Sequence, residues 1–443
     1  MAARIPDNFR RVILAAAGGN VIEWYDFYIF GSLAGVLSVK FFEKTNPVAA
    51  LLSTIALFTA GFLVRPLGAF VFGWLGDRVG RKYTFLMTLV GMALGTGAIG
   101  LIPTYETIGL AAAFILFGLR MVQGLCLGGQ YGGAITYVAE HVADERRGYY
   151  TGWLQTSPTL GIVVSLIVII AARRYFGDAV FNDWAWRVPF LFSFLLVFIA
   201  AYVRTAFEES PIYAEIKAKG QTSKNPWREA FGNPANLKYV LIASIVVLGQ
   251  GVVWYSSQFW PLIYFLPQVS KLDPLSTAYI VGLGILIGTP SLVFFGWLSD
   301  NIGRKPVILG GMLVAAVTYY PLYVWLGSVT QPGNVNWPVA TLIMAVMMCY
   351  VGAVYGPIGA YLAEFFPARI RYTSVSVPYH IGNGWGGGLV PFITSWAYTQ
   401  GGLGYALLYP ILVPAICFVL AAFLMPETHK IRIWDESSQP QKA

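Results

Sequence analysis

Glu23, Asp26, Arg65 and Arg120 are the four ionisable side chains, histidine aside, that lie well inside long apolar stretches of this chain. If those stretches cross a bilayer, each charge at the centre costs roughly 2.5–3.5 kcal/mol on insertion scales. Two acids and two guanidinium groups sum to zero, so they are expected to face an interior and pair. Glu23 and Asp26 stand three residues apart and share one helix face. A carboxyl in such a place can exchange a proton: desolvation raises its proton affinity and a nearby arginine lowers it. A guanidinium there can hold a carboxylate through two parallel hydrogen bonds.

A second set of residues suits recognition of a small polar solute. Gln250, Trp254 and Gln258 recur every four residues and share a helix face, with Tyr255 beside them. Tyr379, His380 and Asn383 form a polar patch ahead of Gly384-Trp385-Gly386-Gly387-Gly388, and Gln123, Gln130 and Tyr131 add further polar positions. The competing reading is structural: polar contacts between helices, an interfacial aromatic anchor, and glycines that let helices approach. His380 could exchange protons near neutrality, although a lone helical histidine more often hydrogen-bonds as a wall residue.

The elements that must position these residues follow from composition. Hydrophobic residues make up 57% of the 443, charged ones 11%, and mean hydropathy is +0.63, too apolar for a soluble domain. A span needs about 20 mostly apolar residues. Such stretches fall at roughly 11–39, 47–75, 83–102, 107–139, 148–172, 185–204, 238–266, 275–298, 306–327, 337–363, 373–396 and 404–425. Twelve spans put both termini on one face. Alternating the loops leaves only Lys40, Lys44, Arg173, Arg174, Arg187 and Lys271 on the other face, against twenty-one Lys and Arg on the terminal side. By the positive-inside rule the termini are expected to be cytoplasmic. The net charge of +8 therefore reflects loop distribution and gives no call for a nucleic-acid partner. The start, Met1 to Arg11, is short and polar and leads into a run with carboxylates and no small-residue cleavage site, so no removed signal peptide is expected.

The chain repeats itself. Gly73-Trp74-Leu75-Gly76-Asp77-Arg78-Val79-Gly80-Arg81-Lys82 matches Gly296-Trp297-Leu298-Ser299-Asp300-Asn301-Ile302-Gly303-Arg304-Lys305 at seven of ten positions. Glu140 with Arg147, and Glu364 with Arg371, repeat at nearly the same shift, and each pair is seven residues apart. The expected organisation is an N-terminal six-helix bundle (1–204), a linker (205–237) rich in charge and broken by Pro211, Pro226 and Pro234, and a C-terminal six-helix bundle with a short tail (238–443).

With these motifs the chain resembles the major facilitator superfamily, whose signature loop the two decapeptides match. More narrowly it is similar to the metabolite:proton symporter family, on Gly19-Asn20-Val21-Ile22-Glu23-Trp24-Tyr25-Asp26-Phe27, Arg65-Pro66-Leu67-Gly68, Arg120-Met121-Val122-Gln123-Gly124, Trp186-Arg187-Val188-Pro189-Phe190 and Glu364-Phe365-Phe366-Pro367-Ala368-Arg369-Ile370-Arg371-Tyr372. Two departures are Gln130, where the family usually has glutamate, and His380, where it commonly has asparagine. The resemblance implies an all-α membrane protein of twelve helices in two pseudo-symmetric bundles, an inner (plasma) membrane location, a monomer, and proton-coupled import of a carboxylate-bearing metabolite by alternating access. Zwitterionic osmolyte or sugar uptake is the alternative; drug/proton antiport is less favoured, because span five keeps only fragments of the antiporter motif.

The resemblance also implies site roles. Asp26 is expected to pair with Arg120, as a first-helix aspartate and this fourth-helix arginine do in related sugar porters, and Glu23 with Arg65. Protonation of Asp26 would release Arg120 to the substrate carboxylate, with Gln123, Gln130, Gln250, Trp254, Tyr255, Gln258, Tyr379, His380 and Asn383 lining the site. Asp77, Arg81, Lys82, Asp300, Arg304 and Lys305 would latch the cytoplasmic side shut, with Glu140–Arg147 and Glu364–Arg371 as partners within each half. An enzyme is not expected. No phosphate-cradling loop is present, His141, His380 and His429 are scattered, and Cys126, Cys349 and Cys417 lack metal or redox spacing; no cofactor or metal is called for.

Overall fold

The computed structural model describes residues 9–43, 45–79, 81–205 and 225–433, with scattered positions between 212 and 223. Among them, eight helices are long and apolar enough to cross a membrane, one being the merged run Arg371–Leu424. The first span is Phe9–Ser32 continued by Ala34–Phe41, and the second is Pro47–Leu63 continued by Arg65–Val79. Arg81–Ile99 is the third, Leu110–Gly128 with Tyr131–Ala139 the fourth, Arg147–Phe176 the fifth and Arg187–Thr205 the sixth. The seventh is Pro234–Trp260 with a wide-turn π segment, Pro261–Val269; Pro274–Gly288 with Pro290–Ile302 is the eighth. Arg304–Val329 is the ninth, and Trp337–Tyr355 with Ile358–Phe365 the tenth. Arg371–Tyr379 and a second π segment, His380–Gly387, open the eleventh, and Gly388–Leu424 completes it and forms the twelfth.

Local chemistry sets the ends and breaks. Asn46, Asp273 and Asn336 cap helix starts with their side chains, each followed by proline in the first turn, where a missing N–H costs nothing. The second and eighth spans break at matching places, Val64 before Arg65-Pro66 and Thr289 before Pro290, because proline removes a hydrogen bond and clashes with the preceding turn. The fourth and tenth break at Gly129 and Gly356. These repeated kinks carry the sequence duplication into three dimensions.

The connection between the last two spans is shorter than sequence hydropathy implies. Only Gly401 and Gly402 leave helical geometry, Gly402 at φ +71°, so the chain reverses without a loop. Among the described residues, the linker includes the short helix Pro226–Phe231, capped by Asn225. A two-stranded antiparallel hairpin, Thr330–Gln331 with Asn334–Val335, caps the ninth span; hydropathy gave no sign of it.

The two sets of six spans meet most closely where the fifth span crosses the eighth. A Cβ added at Gly148 would lie 2.4 Å from the Gly296 carbonyl oxygen, so backbone touches backbone there. This crossing is on the face that carries the termini.

Candidate functional site

Arg65 is fully buried, and its Nε, Nη1 and Nη2 have no carboxylate partner and no well-formed hydrogen bond among the described residues; the Tyr255 and Tyr379 hydroxyls approach it as acceptors. The break at Val64 starts a new helical segment with Arg65. The guanidinium lies 5.4 Å from the Trp24 ring and 5.2 Å from the Phe62 ring, and Tyr255, Tyr379 and His380 stand within its electrostatic reach. Other buried polar atoms without well-formed hydrogen bonds include the Tyr28 and Tyr255 hydroxyls, the Trp254 indole N–H, the side-chain amides of Gln250 and Gln258, both ring nitrogens of His380 and Asn383 Oδ1. Buried polar groups are ordinarily satisfied, so groups near Arg65 that lack well-formed hydrogen bonds, the Tyr28 and Tyr255 hydroxyls and His380, fit a cavity that takes a polar ligand.

Below Arg65, toward the terminal face, the halves are stitched by tyrosines. The Tyr131 and Tyr379 rings stack at 3.3 Å, the Tyr355 and Tyr379 hydroxyls are 3.0 Å apart, and Gln155 Nε2 donates to the Tyr131 hydroxyl at 2.8 Å.

Asp26 and Arg120 do not form an ion pair. Both Asp26 carboxyl oxygens are buried without a partner, with the Ser193 side chain beside them. Arg120 instead donates from Nη1 to Gln123 Oε1 (2.7 Å) and from Nη2 to the Phe58 carbonyl (3.3 Å). Its guanidinium sits 4.3, 4.4 and 5.2 Å from the rings of Phe27, Phe30 and Phe58, whose faces offset its charge. Gln123 Nε2 donates to Thr96 (2.7 Å), and the Thr96 hydroxyl approaches the Asp26 backbone oxygen at 3.4 Å. Asp26 and Arg120 are therefore joined through Thr96 and Gln123 rather than directly. All the hydrogen bonds and ring contacts of Arg120 lie within the first four spans, so Gln123 braces Arg120 rather than lining the chamber. Gln130 is likewise taken up by Thr88, at 3.3 Å. The side chain of Glu23 lies outside the described residues, as do those of Asp77, Arg81 and Lys82.

On the terminal face the charge pairs cross between halves. Arg147 bonds Glu364 at 2.9 Å and Arg371 bonds Glu140 at 2.9 Å, both fully buried. The expected pairs within each half, Glu140–Arg147 and Glu364–Arg371, are thus exchanged, because helix ends related by the duplication face each other across the axis. Glu364 also receives Arg304, whose Nη1 reaches Asp300 at 2.6 Å. Asp300 in turn accepts the backbone N–H groups of Gly148 and Tyr149, each at 2.8 Å, at the start of the fifth span. An anion at that helix N-terminus is stabilised by unsatisfied N–H groups and by the helix dipole. Lys305 does not join the other half; its Nζ caps the Ala422 carbonyl at the end of the twelfth span.

At the opposite end the halves part around a cleft of about 410 Å³, whose lining includes Val36, Lys40, Arg173, Leu262 and Gln268. An aromatic layer lies between this cleft and Arg65: Phe58 stacks on Phe259 (5.1 Å, 9°), and Tyr28 stacks on Trp254 (5.4 Å).

Comparison with known proteins accounts for this architecture. The chain matches the Major Facilitator Superfamily over residues 16–377 and 271–441. It belongs to that superfamily. Among its relatives, the inner membrane metabolite transport protein YhjE of Escherichia coli is 33% identical, with 96% of each chain covered. The proline/betaine transporter of the same organism is 30% identical over 95% of this chain and 84% of its own, and the shikimate transporter 30% identical over 95% of each. The proton:xylose symporter XylE, solved with 6-bromo-6-deoxy-D-glucose, superposes with a TM-score of 0.74 at 16% identity, over 97% of this chain and 98% of that one. Against the superfamily's two-bundle plan, this facilitator chain has its terminal face shut and its opposite face cleft.

Sequence reasoning named Arg65, Tyr255, Tyr379 and His380, which the fold brings together. It missed Thr96, Ser193 and the three phenylalanines around Arg120. Phe30 is four residues after Asp26 and shares its helix face, which was a usable signal; Thr96 and Ser193 gave none, since small hydroxyls recur throughout apolar helices.

Proposed function

We propose that this multi-pass membrane protein is a proton-coupled symporter, acting as a monomer in the inner membrane with cytoplasmic termini, that imports a small carboxylate-bearing metabolite by alternating access. One observation carries the reading: the buried guanidinium of Arg65, which has no carboxylate among the described residues and stands beside the neutral groups of Tyr255, Tyr379 and His380. Desolvating a lone guanidinium is expensive, and a carboxylate ligand relieves that cost bidentately. The orphaned amides of Gln250 and Asn383 then meet the ligand's other polar groups. This moves the cargo from Arg120 to Arg65.

Asp26 remains the proton carrier. Its buried carboxyl has no cation beside it among the described residues, only the Ser193 hydroxyl, a setting that suits the neutral acid. When Asp26 ionises, Arg120 is the nearest guanidinium in the Thr96–Gln123 chain able to leave its aromatic seat and neutralise it. With Asp26 protonated and the terminal face closed by the crossed pairs, the arrangement supports a proton-loaded occluded state.

A second reading is a zwitterion, favoured by the Tyr28 and Trp254 faces near Arg65, which suit an alkylammonium group. Uptake into proteoliposomes under an inward proton gradient, with labelled mono- and dicarboxylates, betaine and a sugar, separates the two. Preference for an acid, abolished by Arg65→Ala, supports the first; a preferred sugar, or acid uptake unchanged in Arg65→Ala, overturns it.

A further inference from the structure

We propose that Phe58 is a positioning residue that links the location of the Arg120 guanidinium to closure of the gate on the cleft side. This rests on the coupling roles given above to Asp26 and Arg120.

Phe58 touches both partners. Its ring lies 5.2 Å from the Arg120 guanidinium and its carbonyl accepts Arg120 Nη2 at 3.3 Å. The same ring stacks face to face on Phe259 of the seventh span, at 5.1 Å and 9°. Phe259 also packs on Tyr28 at 4.8 Å and lies against Gly31, where a Cβ would come within 2.5 Å of its ring. Directly after Phe259 and Trp260 begins the π segment Pro261–Val269, of which Leu262, Ile263, Pro267 and Gln268 line the cleft. Wide-turn segments of this kind commonly mark functional positions in helices.

Arg120 seated in its cage therefore steadies Phe58 through a cation–π contact and a backbone hydrogen bond, and Phe58 holds the seventh span against the first and second. When Asp26 ionises and Arg120 leaves to pair with it, Phe58 loses both supports, the stack on Phe259 loosens and the outer end of the seventh span swings away. Proton binding reverses the sequence and closes the aromatic layer at the floor of the cleft over the cargo. Gly61 makes room for the seat: a Cβ there would stand 3.1 Å from Arg120 Nη2. Among the described residues the other titratable neighbours are phenols, Tyr25 beside Asp26 and Tyr255 within reach of Arg120, and phenols stay neutral across mildly acidic and neutral pH.

The test is the labelling rate of Leu262→Cys by a membrane-impermeant maleimide, in full-length protein lacking Cys126, Cys349 and Cys417, every rate being taken relative to that of a free small thiol at the same pH because only the thiolate reacts. Acidification on the cleft side is expected to slow labelling several-fold. Phe58→Leu should label fast at every pH while Phe58→Tyr, which keeps the ring, behaves as the parent; Gly61→Ala, which crowds the guanidinium, should shift toward fast labelling. Asp26→Asn should label slowly at every pH. If Asp26→Asn removes the pH response but Phe58→Leu retains it, the role of Phe58 is overturned and the coupling reading stands. If Asp26→Asn keeps the response, the coupling reading itself fails.

Discussion

The two buried arginines differ in their surroundings. Arg120 has a hydrogen-bonded glutamine, a backbone carbonyl and three aromatic faces; Arg65 has two aromatic faces and, among the described residues, only the Tyr255 and Tyr379 hydroxyls to accept from it, with no well-formed hydrogen bond. The prediction at this scale is that Arg65→Lys, which keeps the charge and loses the planar fork, weakens substrate binding sharply, and that Arg65→Ala weakens it by about a hundredfold. That corresponds to roughly 3 kcal/mol for a buried charge pair stripped of one partner, read as the half-saturation of uptake. Asp26→Asn should keep substrate counterflow and lose accumulation driven by a proton gradient. Sequence alone identified both arginines, since charges in apolar spans stand out. It put the cargo on Arg120 rather than Arg65, because whether Gln123 satisfies its own helix or the cavity depends on rotamers and on where Thr96 falls.

At the scale of elements, the terminal-face network joins helix ends that lie far apart in the chain. Asp300→Asn removes the charge that Arg304 and the fifth-span N-terminus share. The closed face should lose about 3 kcal/mol or more of its preference, seen as faster cysteine labelling from that side. The segment after the twelfth span belongs to the network. Glu427 Oε1 and Oε2 accept the backbone N–H groups of Arg304 and Lys305, at 2.8 and 3.0 Å, and Thr428 bonds Glu364 at 2.7 Å. Burial pushes the Glu427 carboxyl up, but the N–H groups of Arg304, His429 and Lys305 outweigh it and hold it below the usual glutamate range. A depressed carboxyl stabilises the docked tail above its ordinary titration and loses that contribution as pH falls through its folded value. Tail docking, followed by proteolysis of the C-terminal segment, should therefore weaken in acid in the parent, while Glu427→Gln is weakened at all pH values. Motif repetition made these charges legible as partners. Their exchange between halves was not, because it depends on how the two bundles face each other.

For the whole molecule, the duplication read from two decapeptides became matching kinks in the second and eighth spans and in the fourth and tenth. Twelve apolar runs foretold the spans well, since bilayer thickness fixes their length. The glycine turn at Gly401–Gly402, the π segments and the hairpin at Thr330–Val335 escaped, since each is a local backbone geometry that hydropathy averages away. A molecule shut at one face, cleft at the other and holding between them a buried guanidinium with no carboxylate partner among the described residues suits a device that moves an anion with a proton. The direct measurement is the pH outside lightly buffered vesicles when an accepted acid is added without any imposed gradient. Uptake that draws protons in, so that the outside turns alkaline in proportion to acid taken up and only while Asp26 is present, is the result predicted. Acid entering with no change in external pH would contradict it.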